Sequence, residues 1–477
     1  LTALIRNGIL NGTLSPALRI PSSRMLATEL GLARNTVVSV YEQLQMEGLL
    51  VAGHGSGTYI CRVAREGVDT GPWRDAEGVS EPASAHTPLS LSARGKAYLH
   101  HPMHRYWRPQ PFRGALMDAS LFPHALWNRI QQQQMRLLDP LDLGEGDAGG
   151  LMALKRAIAD HIRTARGVRC QPEQVVITDS TTESLELVAR LLCDAGDTIL
   201  LENPCYWAAA QTAADHGLHL THCDVDEWGL PVPPSSEGLS APRLVYLTPS
   251  NQFPLGNPMS VERRLEWIEY ARAHGTVLIE DDYDSEYRFN GEPFPSLQGL
   301  DTTDHVVYLG TFSKTLYRGI RIAFIVAPPH LAQVFADASS DFYRDGDLLL
   351  QQVLAHFIRE GHFATHIRRT RLEYAARREA LAQALQQELA DAMAAGRASI
   401  SGGVAGVHLT LRFGAHVDDR ALAARCEDMG VTTPPLSAYC LGNARMSGLV
   451  LSYAATPRES IAPLVVRIGA LLREATR

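Results

Sequence analysis

From about Gly150 onward, short apolar runs alternate with stretches of helical periodicity, and nothing else in the chain narrows its fold as far. Val175-Val176-Ile177-Thr178 is one such run. The helix expected after it puts Leu185, Val188, Ala189 and Leu192 on one face at i, i+3, i+4, i+7 spacing. Thr198 to Leu201, Leu244 to Leu247, Val277 to Glu280 and Val306 to Leu309 repeat the pattern. Strands alternating with helices predict an α/β body on a largely parallel sheet, with its ligand site at the carboxyl ends of the strands. After about Leu350 helical stretches dominate, and strands at His408 to Phe413 and Leu449 to Tyr453 follow. This part reads as a smaller α+β domain.

At 477 residues, 45% hydrophobic and 20% charged, the chain has length for about three domains. No apolar stretch approaches the roughly 18 residues that span a bilayer, and the start lacks a signal-peptide pattern, so the cytoplasm is the expected compartment. Seven cysteines, an odd number without a C-x-x-C pair, argue against a disulfide framework and against a zinc site. The net charge of −8 is uneven: residues 1–62 hold five arginines against three glutamates, or +2, which leaves about −10 on the rest. That asymmetry suits a DNA-binding module on an acidic body. Between these parts, 63–109 loses periodicity to Gly, Pro, Ser and acidic residues and reads as a linker. His100, His101 and His104 near its end are expected to be solvated linker residues, with no metal bound.

Within the first 62 residues, Ser22 is placed to cap a helix running to Gly31, and a second helix follows over Ala33 to Met46. That spacing is the one expected of a helix-turn-helix. Val37, Val40, Tyr41 and Leu44 can face inward, while Arg34, Asn35 and Thr36 occupy the first turn, from which side chains reach base edges. Leu49 to Val51 and Thr58 to Ile60 then read as a hairpin with a tip of Gly53, His54, Gly55, Ser56 and Gly57. Small residues there allow close approach to a phosphate or groove. The string LRIPSSRMLATELGLARNTVVSVYEQLQMEGLLVAGHGSGTYI resembles the winged helix-turn-helix of GntR-type regulators. The resemblance implies DNA contacts by Arg24, Arg34, Thr36 and the wing at His54, Gly55, Ser56 and Gly57, with Asn35 beside them. Family members usually carry serine where Ala33 stands, so one phosphate contact is expected to be lost. The chain begins inside the first helix expected of such a module, and its native start is expected upstream.

Only three lysines occur against 41 arginines, and Lys314 closes the run Val306 to Ser313. A chain that otherwise uses arginine for positive charge has one use that arginine cannot serve: losing a proton and joining a carbonyl as a Schiff base. A pyridoxal phosphate site needs such a lysine, a carboxylate for the pyridine nitrogen, a phosphate cradle and an aromatic face. Asp281 and Tyr283 follow one strand; Arg321 comes seven residues after Lys314; Ser180, Thr181 and Thr182 open a helix, where anions bind. Tyr206 can stack on a ring. Singly each is weak, since an acidic run after a strand is more often a solvated turn.

In combination they resemble fold-type I aminotransferases over roughly residues 110–477, and with the first module the chain is similar to the MocR (GabR-like) subfamily of GntR regulators. The resemblance implies a large part at about 150–350 and a small part at 351–477. TFSKTLYRGIR then makes Lys314 the Schiff-base lysine, with Ser313 beside it, and Arg321 a phosphate ligand. EDDYDSEYR makes Asp281 the pyridinium partner and Tyr283 a donor to the phenolic oxygen. TDSTTESL is the phosphate cup, and TPSNQFPLG puts Asn251 or Gln252 at the phenolic edge. Ser180 stands where glycine is usual, and Arg318 where proline is common. Val450 stands where the enzymes carry the arginine that clamps a substrate carboxylate, so that anchor is missing. Arg445 is a candidate replacement in effector binding. Such a chain is expected to be a homodimeric, DNA-binding regulator that senses an amine, or pyridoxal phosphate itself, on Lys314. The alternative is a working aminotransferase with a vestigial DNA-binding module.

Overall fold

The computed structural model describes residues 1–53, 57–61, 89–99, 110–114, 116–137, 147–233, 241–289, 291, 294–442 and 446–476. His54, Gly55, Ser56, Arg445 and the three linker histidines lie outside them. The chain divides into two compact units, Leu1–Ser90 and Leu91–Arg477. No described helix is long and apolar enough to cross a membrane.

In the first unit α1 (Thr2–Leu10), α2 (Ser23–Leu30) and α3 (Arg34–Met46) pack beside a three-stranded antiparallel sheet of β1 (Arg19–Ile20), β2 (Leu50–Gly53) and β3 (Gly57–Ile60), in the order β1-β3-β2. Ser22 caps α2, its Oγ accepting from the Met25 N–H at 3.3 Å, and Gly31 ends it in the left-handed region at φ 64°. Val37, Val40, Tyr41 and Leu44 are buried with Ile9, Ile20 and Ala27. The Tyr41 hydroxyl also donates to the Pro21 carbonyl at 2.8 Å, which fixes α3 against the turn entering α2.

Seven strands form the sheet of the second unit: β4 (Val175–Thr178), β5 (Thr198–Asn203), β6 (His219–Asp224), β7 (Leu244–Leu247), β8 (Val277–Asp282), β9 (Val306–Thr311) and β10 (Ala323–Val326). Their order is β4-β10-β9-β8-β7-β5-β6. Neighbours from β9 to β6 run parallel, while β10 is antiparallel to both β9 and β4. The strands β4, β7, β9 and β10 are buried along almost their whole length, as expected of a sheet covered on both faces. A second sheet, β11 (Ala398–Ser401), β12 (His408–Phe413) and β13 (Ser447–Ser452), is antiparallel and packs with the helices His362–Glu388 and Arg458–Ala475.

Among the described residues, β1 in the first unit and three strands in the second go beyond the sequence expectation. β6 is polar and half-exposed at an edge, β10 follows the Lys314 loop directly, and β11 is short, so none shows a period. Within the span read as linker, Ala93–Leu99 is helical. Ser92 Oγ accepts from the Gly95 N–H at 3.1 Å, a local cap that hydrophobic periodicity cannot reveal.

Candidate functional site

On the first unit, Arg24, Arg34, Asn35 and Thr36 are all exposed, and Arg34 opens α3 after Ala33, whose side chain makes no capping bond. The Thr36 N–H donates to the Ala33 carbonyl at 3.0 Å, and no side chain caps the first turn of α3. At the start of β3, Gly57 has φ 112°, and a Cβ there would fall 2.7 Å from Arg19 Nε, so the guanidinium of Arg19 closes over this glycine. Arg19 was not among the expected contacts; the pairing of β1 with β3 brings it there.

In the second unit, β8 ends in three consecutive acids that the fold sets to different work. Glu280 accepts from the N–H groups of Leu297 and Gln298 at 2.9 and 2.8 Å and lies 3.9 Å from Arg264. Asp282 is paired with Arg166 at 2.6 Å and accepts from the Tyr308 hydroxyl at 2.7 Å. Burial opposes its charge, but Arg166 and Tyr308 hold its carboxyl below the usual range. Asp281, between them, accepts on Oδ2 from the Tyr246 hydroxyl at 2.6 Å, and its Oδ1 is buried without any partner. Burial pushes this carboxyl up to about 7, against the pull of Tyr246 and Lys314. Asp282 Oδ1 is unpartnered too, but Asp282 is already matched by Arg166; of the three acids, Asp281 is the one with a free buried oxygen and no arginine paired with it among the described residues.

Lys314 follows β9 and is half-buried; burial and the nearby Arg318 bring its ammonium down to about 8, against the pull of Asp284 and Asp281. Ser313 is tied into the same turn, its N–H donating to Thr311 Oγ1 at 3.2 Å. Lysine scarcity alone does not single this residue out. Lys155 is also buried, but its ammonium donates to the Ala148 carbonyl, so its environment gives it a structural task.

Thr181 and Thr182 begin the helix Thr181–Leu192, where their N–H groups precede the first intrahelical bond. Ser180 is the cap, its Oγ accepting from the Glu183 N–H at 3.2 Å; its φ of −167° is extended, so the serine in place of glycine costs no strain. Arg321 has φ 48° and reaches Asp179 at 3.3 Å, the arginine largely exposed and the aspartate partly so. This ion pair holds the guanidinium beside the helix start yet contributes little to stability. Tyr206 hydrogen-bonds Thr182 and makes an edge contact with Phe253 at 6.0 Å.

At the other edge, Tyr283 and Asn251 face each other. The Tyr283 hydroxyl donates to the Asn251 carbonyl at 2.9 Å and accepts from Asn251 Nδ2 at 3.0 Å, while Asn251 Oδ1 is buried without a partner. Gln252 is turned into its own loop, donating to the Pro204 and Phe253 carbonyls at 2.8 and 2.9 Å. Asp284 is buried and accepts from Asn251 Nδ2 on both oxygens at 3.1 Å. Burial raises its carboxyl well above the usual range, though Asn251 and Lys314 draw the other way. Sequence reasoning overlooked Asp284, although it closes the same acidic run, and Tyr246, which a neighbouring strand supplies. His408 of β12, also overlooked, is buried, donates from Nε2 to the Pro254 carbonyl at 3.0 Å, and is lowered to about 4 by burial.

Val450 lies buried in β13 opposite Thr410, a core residue where a clamp would stand. The buried, unpartnered oxygen of Asp281, the lowered amine of Lys314 and an open helix start fit a cationic ring, an aldehyde and a phosphate, the three parts of pyridoxal phosphate.

Residues 123–468 match the family of class I and II aminotransferases, and residues 1–60 match the gntR family of bacterial regulatory proteins. The chain is 37% identical to a probable rhizopine catabolism regulatory protein, MocR, of Rhizobium meliloti, over 96% of this chain and 90% of that protein. It is 29% identical to a pyridoxine biosynthesis transcriptional regulator, PdxR, of Corynebacterium glutamicum, over 98% and 94% of the two chains. The α-aminoadipate aminotransferase LysN of Thermus thermophilus, solved with N-(5'-phosphopyridoxyl)-L-leucine, superposes with a TM-score of 0.70 at 27% identity, covering 80% of this chain and 97% of that one.

Proposed function

The chain belongs to the MocR-type regulators, in which a gntR-family DNA-binding module is joined to an aminotransferase domain, and from that membership we propose how its strand-end site is used. The protein is a DNA-binding transcriptional regulator whose cofactor is pyridoxal phosphate. Lys314 is the residue that joins the cofactor. When bound, pyridoxal phosphate supplies an aldehyde carbon that an incoming amine can take over from the lysine. Asp281 offers Oδ1 to the ring N–H, where a neighbouring cation would favour its ionised form. Thr181, Thr182, Ser180 and Arg321 hold the phosphate, Tyr206 covers a ring face, and Tyr283 and Asn251 turn their mutual bonds toward the phenolic oxygen. Gln252 orders the loop beneath, and Ser313 shapes the turn carrying Lys314. Arg24, Arg34, Asn35, Thr36 and the wing contact DNA.

The observation carrying this assignment is the buried oxygen of Asp281 that no protein group satisfies. If an amine took the place of Lys314 on the bound group, the freed lysine would interact differently with Asp281 and Asp284, and only such differential contacts can shift a regulator between two states. The protein acts as a homodimer in the cytoplasm; a monomer at micromolar concentration in sedimentation contradicts that assembly.

Binding of the full chain to its own upstream DNA, with and without pyridoxal phosphate, tests the reading in wild type and Lys314→Ala. A cofactor-dependent change that the variant loses is expected. Cofactor-independent binding identical in both proteins overturns it. Val450 at the clamp position favours a second reading, in which pyridoxal phosphate itself is the signal, and the relative named for pyridoxine biosynthesis regulation agrees with it. Efficient turnover of an amino donor and a keto acid acceptor would instead favour the enzyme alternative.

A further inference from the structure

The hairpin sequence from Leu50 to Ile60 contains no lysine and no arginine. A wing built from these residues alone has no permanent positive charge to offer DNA. Elsewhere in the first unit, Arg6 is engaged by Glu47, its Nε donating at 2.8 Å, while the exposed side chains of Arg19, Arg24 and Arg34 pair with no acid among the described residues. The acids keep to the far ends of the helices. In α2, Arg24 is in the first turn and Glu29 in the last; α3 opens on Arg34, with Glu42 in its second half and Glu47 just beyond it. The strand β1, which holds Arg19, leads into the basic start of α2.

Strand pairing decides where Arg19 goes. It stands opposite Tyr59 on β3, and Tyr59 is opposite Val51 on β2, so these three share one face of the sheet. Ile20, Leu50 and Ile60 fill the other face and are buried, which makes the face of Arg19 the outer one. Gly57 is two residues from Tyr59 on that same face, and its pairing with Gly53 is the last of the β2–β3 ladder before the hairpin turns. There the guanidinium of Arg19 occupies the space that a side chain would take. A Cβ on Gly57 would stand 2.7 Å from Nε, 3.2 Å from Nη2 and 3.3 Å from Cζ. Its φ of 112° already favours glycine, and the missing Cβ has this second use: the planar group can rest on the hairpin backbone. An arginine held in this way loses less freedom when its donors meet an acceptor.

We infer that Arg19 is a DNA-contacting residue, set by β1 on the outer face of the hairpin at Gly57, and that it supplies the wing with the cation its own two strands lack. Its partner is a phosphate of the DNA backbone or an acceptor on the minor-groove edge of the bases. The inference rests on the reading above that the first unit binds DNA, and it is independent of what happens at Lys314.

The test titrates the full chain, loaded with pyridoxal phosphate, against duplex DNA from its own upstream region over a range of salt, as wild type, Arg19→Gln and Gly57→Ala. Arg19→Gln should bind about tenfold more weakly, with urea unfolding unchanged. A phosphate contact lowers the salt slope by about one and weakens binding to an unrelated duplex equally. A groove contact gives a loss confined to the operator. Exchanging flanking A·T pairs for G·C, whose guanine amino group enters the minor groove, then weakens wild type and leaves Arg19→Gln unaffected. Gly57→Ala should also weaken binding, and because the glycine acts through Arg19, adding Arg19→Gln to it should cost nothing more; a further tenfold loss in the double variant overturns the role of Gly57. Arg19→Gln equal to wild type in affinity and slope on both duplexes overturns the inference. If wild type finds no specific site upstream, the regulator reading fails instead, and the unrelated duplex at low salt still decides the contact: a slope lowered by about one in Arg19→Gln supports it, and an unchanged slope overturns it.

Discussion

In the unit Leu1–Ser90, Arg24 and Arg34 stand exposed on the helix-turn-helix, whereas in Leu91–Arg477 several arginines are internal fastenings. Arg166 grips Asp282 at 2.6 Å and Arg264 donates to the Pro249 carbonyl at 2.6 Å, both buried. Arginine suits both tasks because it stays charged and its fork can satisfy several acceptors at once. A solvated arginine is available to a phosphate or a base edge; a buried one is fully used by its partners and can only hold the site in shape. Lys314 falls between these extremes, half-buried and near acids, able to gain or lose a proton.

The largest effect expected from this contrast is at Arg166. Arg166→Ala leaves Asp282 buried without its cation and should destabilise the second unit by about 3 to 5 kcal/mol in urea unfolding. A loss no larger than that of a surface substitution would break the contrast. Next is the pH response of Lys314. Its ammonium must lose a proton before it can attack an aldehyde, and its value is about 8, below the ordinary 10.5. Capture of pyridoxal phosphate by cofactor-free protein should speed up as pH rises and level off above 8, and be roughly a hundredfold slower two pH units below. Stopped-flow absorbance across a range of about pH 6 to 10 measures this; a rate still rising steeply at the top of that range would mean an unperturbed lysine.

A smaller change is expected on the exposed side. Arg34→Ala should weaken operator binding by about 1 to 3 kcal/mol if a base contact is lost, or lower the salt slope by about one if the contact is to phosphate. Either way unfolding of the protein should be unchanged, and a mutant that unfolds early would move Arg34 into the fastening class. Smallest is Asp179→Ala, which removes an ion pair that is largely in solvent. Stability should shift by less than about 1 kcal/mol, while affinity for pyridoxal phosphate reports whether Arg321 needs that tether.

The two units also differ in how far sequence patterns reach. In the first, almost every structural decision is local: Ser22 caps, Gly31 terminates, and Val37, Val40, Tyr41 and Leu44 face one way within a single helix. In the second, strands β4, β7 and β9 were legible from apolar runs, and Lys314 and the acidic run from chemistry. The division of labour among Glu280, Asp281 and Asp282 was not, because it is set by Arg264, Tyr246, Arg166 and Tyr308, from other strands and helices. Ser180 stands where glycine is usual, and whether that costs strain is decided by backbone conformation, which no residue type announces.

The reversed strand β10 has a consequence for how such a chain can vary over time. Thr311 and Thr178 both lie opposite Ala323, and the Phe312 N–H donates to the Ile322 carbonyl at 3.0 Å, so the hairpin carrying Lys314 and Arg321 is pinned at both feet. Its length is thereby set by the sheet, and an inserted or deleted residue would carry the lysine away from Asp281 or the arginine away from Asp179. Residue identity is less tightly held at an exposed position of the hairpin such as Arg318 than at Lys314 or Arg321. A substitution at such a position leaves the length of the hairpin, and with it the placement of Lys314 and Arg321, intact.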